Sequence, residues 1–192
     1  IASCLVGSEM CIRDRSMDKS HTEIYKDISD VYEKKRDFPK AIEAYKNYLD
    51  EMKSSPDISD LFLYGRLNYY AATDSAYQDK QPTYLAEADT IFAQVAVKVP
   101  DNYLGNFWRA RVNSLRDPET TQGLAKPYYE AALSILEQKP DATKSVLVEC
   151  NSYLGYYYFV KEDYNQSKQY WNKILEIDPE NETATKALGG IK

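Results

Sequence analysis

The sequence predicts an all-α chain, a solenoid or alpha-alpha superhelix of about four helical hairpins with a C-terminal capping helix. Two observations predict it. From about Ser20 onward apolar residues recur at the period of a helix, and no segment shows the strict alternation of a half-buried strand. Proline followed by an acid punctuates the chain at Pro56-Asp57, Pro100-Asp101, Pro140-Asp141 and Pro179-Glu180, which are 44, 40 and 39 residues apart. Recurrence at near-constant spacing marks a repeat architecture. Proline ends a helix because it lacks the N–H and crowds the preceding turn, and the acid after it can cap the next helix by accepting its free amides. Each pair therefore marks a seam, and between seams lie two amphipathic segments.

Taken in order, the first element is read as non-native. Residues 5–15, from Leu5-Val6-Gly7-Ser8-Glu9 through Met10-Cys11-Ile12-Arg13-Asp14 to Arg15, resemble a translated sequencing-library transposon adaptor. Residues 1–15 are therefore set apart from the fold as a disordered segment. Cys4 and Cys11 go with them, which leaves Cys150 as the one native cysteine and no partner for an internal disulfide. The same reading places the native start upstream, with further repeats expected before Thr22 and no targeting segment to read.

The domain proper covers 16–192. Its first hairpin, about 22–55, carries Tyr25, Ile28, Ser29 and Tyr32 on one helix and Ala41, Tyr45 and Tyr48 on the next, closing at Lys53. The second, 57–100, has Leu61, Tyr64 and Gly65, then Ala88, Phe92 and Val95 before Pro100. Its two small residues lie 23 apart, whereas Ser29 and Ala41 lie 12 apart, so an insertion is expected in its internal turn near Thr73 to Gln81. The third, 101–140, carries Phe107, Trp108 and Ala110, then Ala125, Tyr129 and Ala132, with a lengthened turn from Asp117 to Gly123. Pro127 must fall in the first turn of that second helix or kink it.

The fourth hairpin, 142–181, has Leu154, Gly155 and Tyr158, then Ser167, Trp171 and Ile174 before Pro179, and Gly155 and Ser167 again lie 12 apart. A small residue on each helix lets the backbones close at their crossing, while large residues three or four positions away interlock beside it. Each hairpin keeps one apolar face bare, stacking covers it, and the last one needs a polar cap. Residues 182–190, with Glu182, Thr183, Thr185 and Lys186 around few apolar residues, supply a capping helix.

This pattern resembles the tetratricopeptide repeat of bacterial proteins, throughout 22–55 and 148–181 and with departures in between. The resemblance implies a non-catalytic protein-interaction scaffold that binds a peptide segment or a partner protein in a concave groove. In that family the inner faces of the first helices line the groove. Carried over, the groove residues are Phe62, Arg66, Tyr69 and Tyr70 in the second repeat and Tyr153, Tyr156 and Phe159 in the fourth, with Glu23, Lys26, Asp27 and Asp30 at matching places in the first. Tyr25, Tyr32, Tyr45, Tyr64 and Tyr158 fall at packing positions and are expected in the core. Two other functions stay open: a small-ligand or glycan-binding accessory protein of the cell envelope, and the C-terminal repeat segment of a larger enzyme. Tyr- and Asn-rich repeat proteins of this kind are often exported, which points to the periplasm or cell envelope of a bacterium.

Composition and motifs narrow the classes further. A net charge of -6, with no extended run of Lys and Arg, argues against binding nucleic acid, and no run approaches the roughly 18 apolar residues of a transmembrane segment. His21 is the only histidine, which excludes a histidine-centred triad or a multi-histidine metal site within these residues. Cys150 sits on an apolar-periodic helix and reads as a buried structural thiol. The acids Asp27 and Asp30, or Glu162 and Asp163, read as surface and capping groups. Asp163 precedes Tyr164 with Gln166 three positions on, and Asp37 precedes Phe38 in the same way. With no glycine-rich phosphate loop, CxxC pair or nucleotide signature, no catalytic residue, cofactor or metal is predicted.

Overall fold

The computed structural model describes residues 21–52, 55–139 and 141–191, with the side chain of His21 outside the description. The adaptor-like residues 1–15 lie outside the described residues. Nine α-helices and no strand occur among the described residues. They are α1 (His21–Lys34), α2 (Phe38–Glu51), α3 (Ile58–Thr73), α4 (Gln81–Lys98), α5 (Leu104–Arg116), α6 (Lys126–Leu136), α7 (Lys144–Val160), α8 (Tyr164–Ile177) and α9 (Glu182–Gly190). The chain divides into two compact units, one ending at Ile91 and the other beginning at Phe92, so the division falls within α4. In the first, α1 packs on α2 and α2 on α3; in the second, each helix from α5 to α9 packs on the next.

The tight turns of the first and fourth hairpins share one geometry. Arg36 and Glu162 adopt left-handed backbone, with φ of 58 and 61°. The amides of Asp37 and Asp163 donate back to the carbonyls of Tyr32 and Tyr158, both at 2.9 Å, which closes α1 and α7. The carboxylates of the same two aspartates then accept from the amides of Lys40 (3.4 Å) and Gln166 (3.1 Å) and open α2 and α8. One residue thus ends one helix and begins the next.

At the helix crossings the small residues meet as their spacing predicts. Ser29 Oγ donates to the Ala41 carbonyl and Ser167 Oγ to the Gly155 carbonyl, each at 2.8 Å, the same bond running in opposite directions. The spacing did not reveal a further close approach at Gly105, where a Cβ would stand 2.5 Å from the Ala96 nitrogen.

The longer turns are ordered by buried aspartates. After α3, Asp74 accepts from the Ala76 amide (2.9 Å) and from Arg36 Nη2 (2.7 Å), which starts the 3-10 segment Ser75–Lys80 and ties the insertion to the first hairpin's turn. After α5, Asp117 accepts from the amides of Gln122 (3.0 Å) and Gly123 (2.7 Å). Burial there works against the charge, yet these amides hold the Asp117 carboxyl below its ordinary value. Gly123 has φ of 72° and packs against the Tyr157 ring, so no other residue fits that turn without strain. Pro127 falls in the first turn of α6, where its missing N–H costs nothing.

Two expectations need correcting. Of the acids after the seam prolines only Asp57 caps a helix, accepting from the Asp60 amide at 2.8 Å. At the next seam Asn102 accepts from the Leu104 amide (2.9 Å), and at the last Asn181 caps α9, because those helices start later than the proline implies. Among the packing tyrosines, Tyr45 and Tyr64 are buried, whereas Tyr25, Tyr32 and Tyr158 are half-buried. Tyr25 and Tyr32 border a hollow between α1 and α2 with Ile28 and Ala44. Tyr158 stacks on Tyr170 with the ring planes 8° apart, toward the surface.

Candidate functional site

The first unit presents α3. Phe62, Arg66 and Tyr69 follow one another at spacings of four and three, which puts them along one side of the helix, with Tyr70 beside them. All four are half-buried. The Arg66 guanidinium lies 5.3 Å from the centre of the Tyr70 ring and 3.8 Å from Glu33, and Tyr70 packs against Phe38 and Tyr69. Lys26, assigned to the same face of the first repeat, is engaged elsewhere. Its ammonium donates to Asp60 at 2.9 Å, and the hydroxyls of Tyr48 (3.1 Å) and Tyr45 (3.3 Å) donate to the same oxygen. Burial alone would push the Asp60 carboxyl up, but the Lys26 ammonium and the Tyr48 hydroxyl outweigh it and hold the group below its ordinary value.

The second unit presents α7. Tyr153 turns into the packing: its ring centre is 4.6 Å from that of Tyr129 and its hydroxyl is buried. Tyr156 and Phe159, three residues apart, remain 43% and 41% exposed. They border an apolar cavity of about 240 Å³ whose other walls are Trp171 from α8 and Lys186, Ala187, Gly190 and Ile191 from the C-terminal segment. Sequence reasoning missed this half of the cavity by treating the tail as polar. The signal was present in Ala184, Ala187, Leu188 and Ile191, a stripe at helical spacing that packs on Trp171 and Ile174. It also missed the pair of Arg111 and Glu149, joined by two bonds of 2.7 and 2.5 Å and joined again by the Tyr129 hydroxyl at 3.2 Å.

Cys150 is buried, and burial pushes its thiol up to about 12, far from the thiolate a nucleophile needs. Among the described residues no group of three or more His, Cys, Asp or Glu is placed to hold a metal ion. No helix of the described residues is long and apolar enough to cross a membrane.

No family model and no curated protein matches the sequence. Among solved structures, the C-terminal part of a TPR repeat-containing protein from Cytophaga hutchinsonii is 32% identical, with a TM-score of 0.76 over 89% of this chain. The repeats are tetratricopeptide repeats. The chain spans 61% of that structure's own length. A MamA RS-1 ArsTM double mutant, 17% identical, shares the fold with a TM-score of 0.65 over 90% of this chain and 84% of its own. The exposed aromatics of α7 lie on the first helix of such a repeat.

Proposed function

We propose that this tetratricopeptide chain holds an extended or helical segment of a partner protein along the inner faces of its first helices, with Tyr156 and Phe159 as the anchors. The observation that carries the proposal is their exposure at the mouth of the apolar cavity formed with Trp171, Ala187 and Ile191. Large rings fixed by two torsions lose little entropy on binding and supply much contact area, which is why such residues dominate interaction hot spots. Phe62, Arg66, Tyr69 and Tyr70 form a separate candidate contact surface on α3 of the first unit, while in the second Tyr153 packs on Tyr129. We further propose the periplasm or cell envelope of a bacterium as its location, on the likeness of these Tyr-rich repeats to repeat proteins that are often exported.

Peptides selected on the full chain by display provide the test. Tyr156→Ala and Phe159→Ala should each weaken the selected peptide by roughly 2 kcal/mol, about thirtyfold, with an unchanged melting temperature. Trp171→Ala, a buried control, should instead lower the melting temperature. Equal binding by the α7 variants, or a loss of stability in them to match Trp171→Ala, would overturn the assignment.

A further inference from the structure

The cavity beside Tyr156 and Phe159 is small enough to bound what enters it. Its volume is about 240 Å³. Roughly 150 Å³ of dry apolar space takes up one benzene ring, and sites for whole small molecules begin at about 300 Å³. The space therefore suits one large side chain. The rings of Tyr156, Phe159 and Trp171 on its walls receive another ring edge to face.

Charge decides what stands beside that side chain. No acid lines the cavity, and its one charged wall residue is Lys186. Lys186 is paired with Glu182, but the two side chains are 77% and 83% exposed, and a pair so solvated costs little to part. A second cation stands on α8. Tyr164, Lys168 and Trp171 are spaced four and three, which sets them along one face of that helix, and Tyr164 packs on Phe159 with ring centres 5.9 Å apart. Lys168 thus stands between the exposed Tyr164 and the cavity wall, half-buried and with no ion pair among the described residues. Asp163, the acid at the start of the same helix, accepts instead from the Gln166 amide at 3.1 Å.

Resting on the reading of this surface as a peptide site, we infer that the partner segment carries a phenylalanine flanked by acidic residues. The ring fills the cavity, and the carboxylates lie over Lys168 and Lys186. A second copy of this chain is a poorer occupant, because across a twofold contact the same two cations would meet themselves. A basic segment is opposed by the same repulsion.

Peptides of random sequence, displayed and selected on the full chain, test the pairing of ring and charge. The selected sequences should be enriched in Phe with Asp or Glu within a few positions of it. One of them, made with acetylated and amidated ends, should bind about tenfold more weakly once its acids become Asn or Gln, and at least as much more weakly once its Phe becomes Ala. Reversing the protein's own charges (Lys168→Glu with Lys186→Glu) should weaken that peptide about tenfold with the melting temperature unchanged, and should favour the version in which Lys replaces the acids. The milder pair, Lys168→Gln with Lys186→Gln, should act in the same direction. Added salt should narrow the gap between the acidic and the neutral peptide. The inference is overturned if the selected peptides depend on Tyr156 and Phe159 yet carry no acids, or lose nothing when their acids are neutralised, and the peptide site itself would then stand. Selected peptides indifferent to both Tyr156→Ala and Phe159→Ala would overturn the site and the inference together.

Discussion

At Gly155 a Cβ would stand 2.7 Å from Trp171 Cε2, closer than real Cβ contacts come. The indole is itself buried, so it cannot swing aside without leaving the core it shares with Ile174, Ala184 and Ile191. Replacing Gly155 with Leu should therefore cost about 1–3 kcal/mol through overpacking, read from chemical denaturation at neutral pH. An unchanged midpoint would mean that α7 and α8 do not cross where the structure brings them together. The glycine, the serine that bonds its carbonyl and the tryptophan that fills its side form one unit, and a change at any of them is felt by the other two.

At the scale of elements, neighbouring helices are stitched by charge as well as by apolar contact. In the first unit Lys26 on α1 meets Asp60 on α3 while Tyr45 and Tyr48 on α2 donate to the same carboxylate. In the second, Arg111 on α5 and Tyr129 on α6 converge on Glu149 of α7. Each cluster joins three consecutive helices, so it fixes how one hairpin sits on the next. The Asp60 carboxyl lies below its ordinary value in the folded state, so its contribution is complete above the unfolded value near ~3.9 and is lost as pH falls through the folded one. Asp60→Asn should destabilise by about 1–2 kcal/mol near pH 7, the solvent reaching the half-buried Lys26 limiting the gain. Urea denaturation as a function of pH should show that gap constant from pH 5 to 8 and closing below about pH 4; a gap that persists in acid would remove the carboxylate from the account.

Across the whole molecule the C-terminal helix has two functions, closing the core and walling the aromatic cavity. Ala184 and Ile191 are buried on Trp171 and Ile174, while Ala187 and Gly190 face the space beside Tyr156 and Phe159. Deleting residues 182–192 should lower stability by about 2–5 kcal/mol, the cost of unpacking one large buried apolar side chain or two. Display-selected peptides should be lost with it. A truncated chain as stable as the parent would show that α9 lies on the fold without closing it.

What the sequence by itself determined depends on neighbours a few residues apart. The helical period, the seam prolines, the Ser29–Ala41 and Gly155–Ser167 crossings and the caps at Asp37 and Asp163 all follow from interactions within one hairpin, where spacing along the chain is spacing in the fold. The insertion after α3 was legible for the same reason, as a change in that spacing. Only the tertiary structure decided which tyrosines are covered, that Tyr153 serves Tyr129 while Tyr156 faces outward, and that Asp60 and Glu149 each gather partners from two other helices. Turning a helix by one residue moves a side chain 100° around its axis. The local pattern tolerates a slip of that size, but the packing of one helix against the next does not, so exposure and long-range pairing are settled only when the hairpins stack.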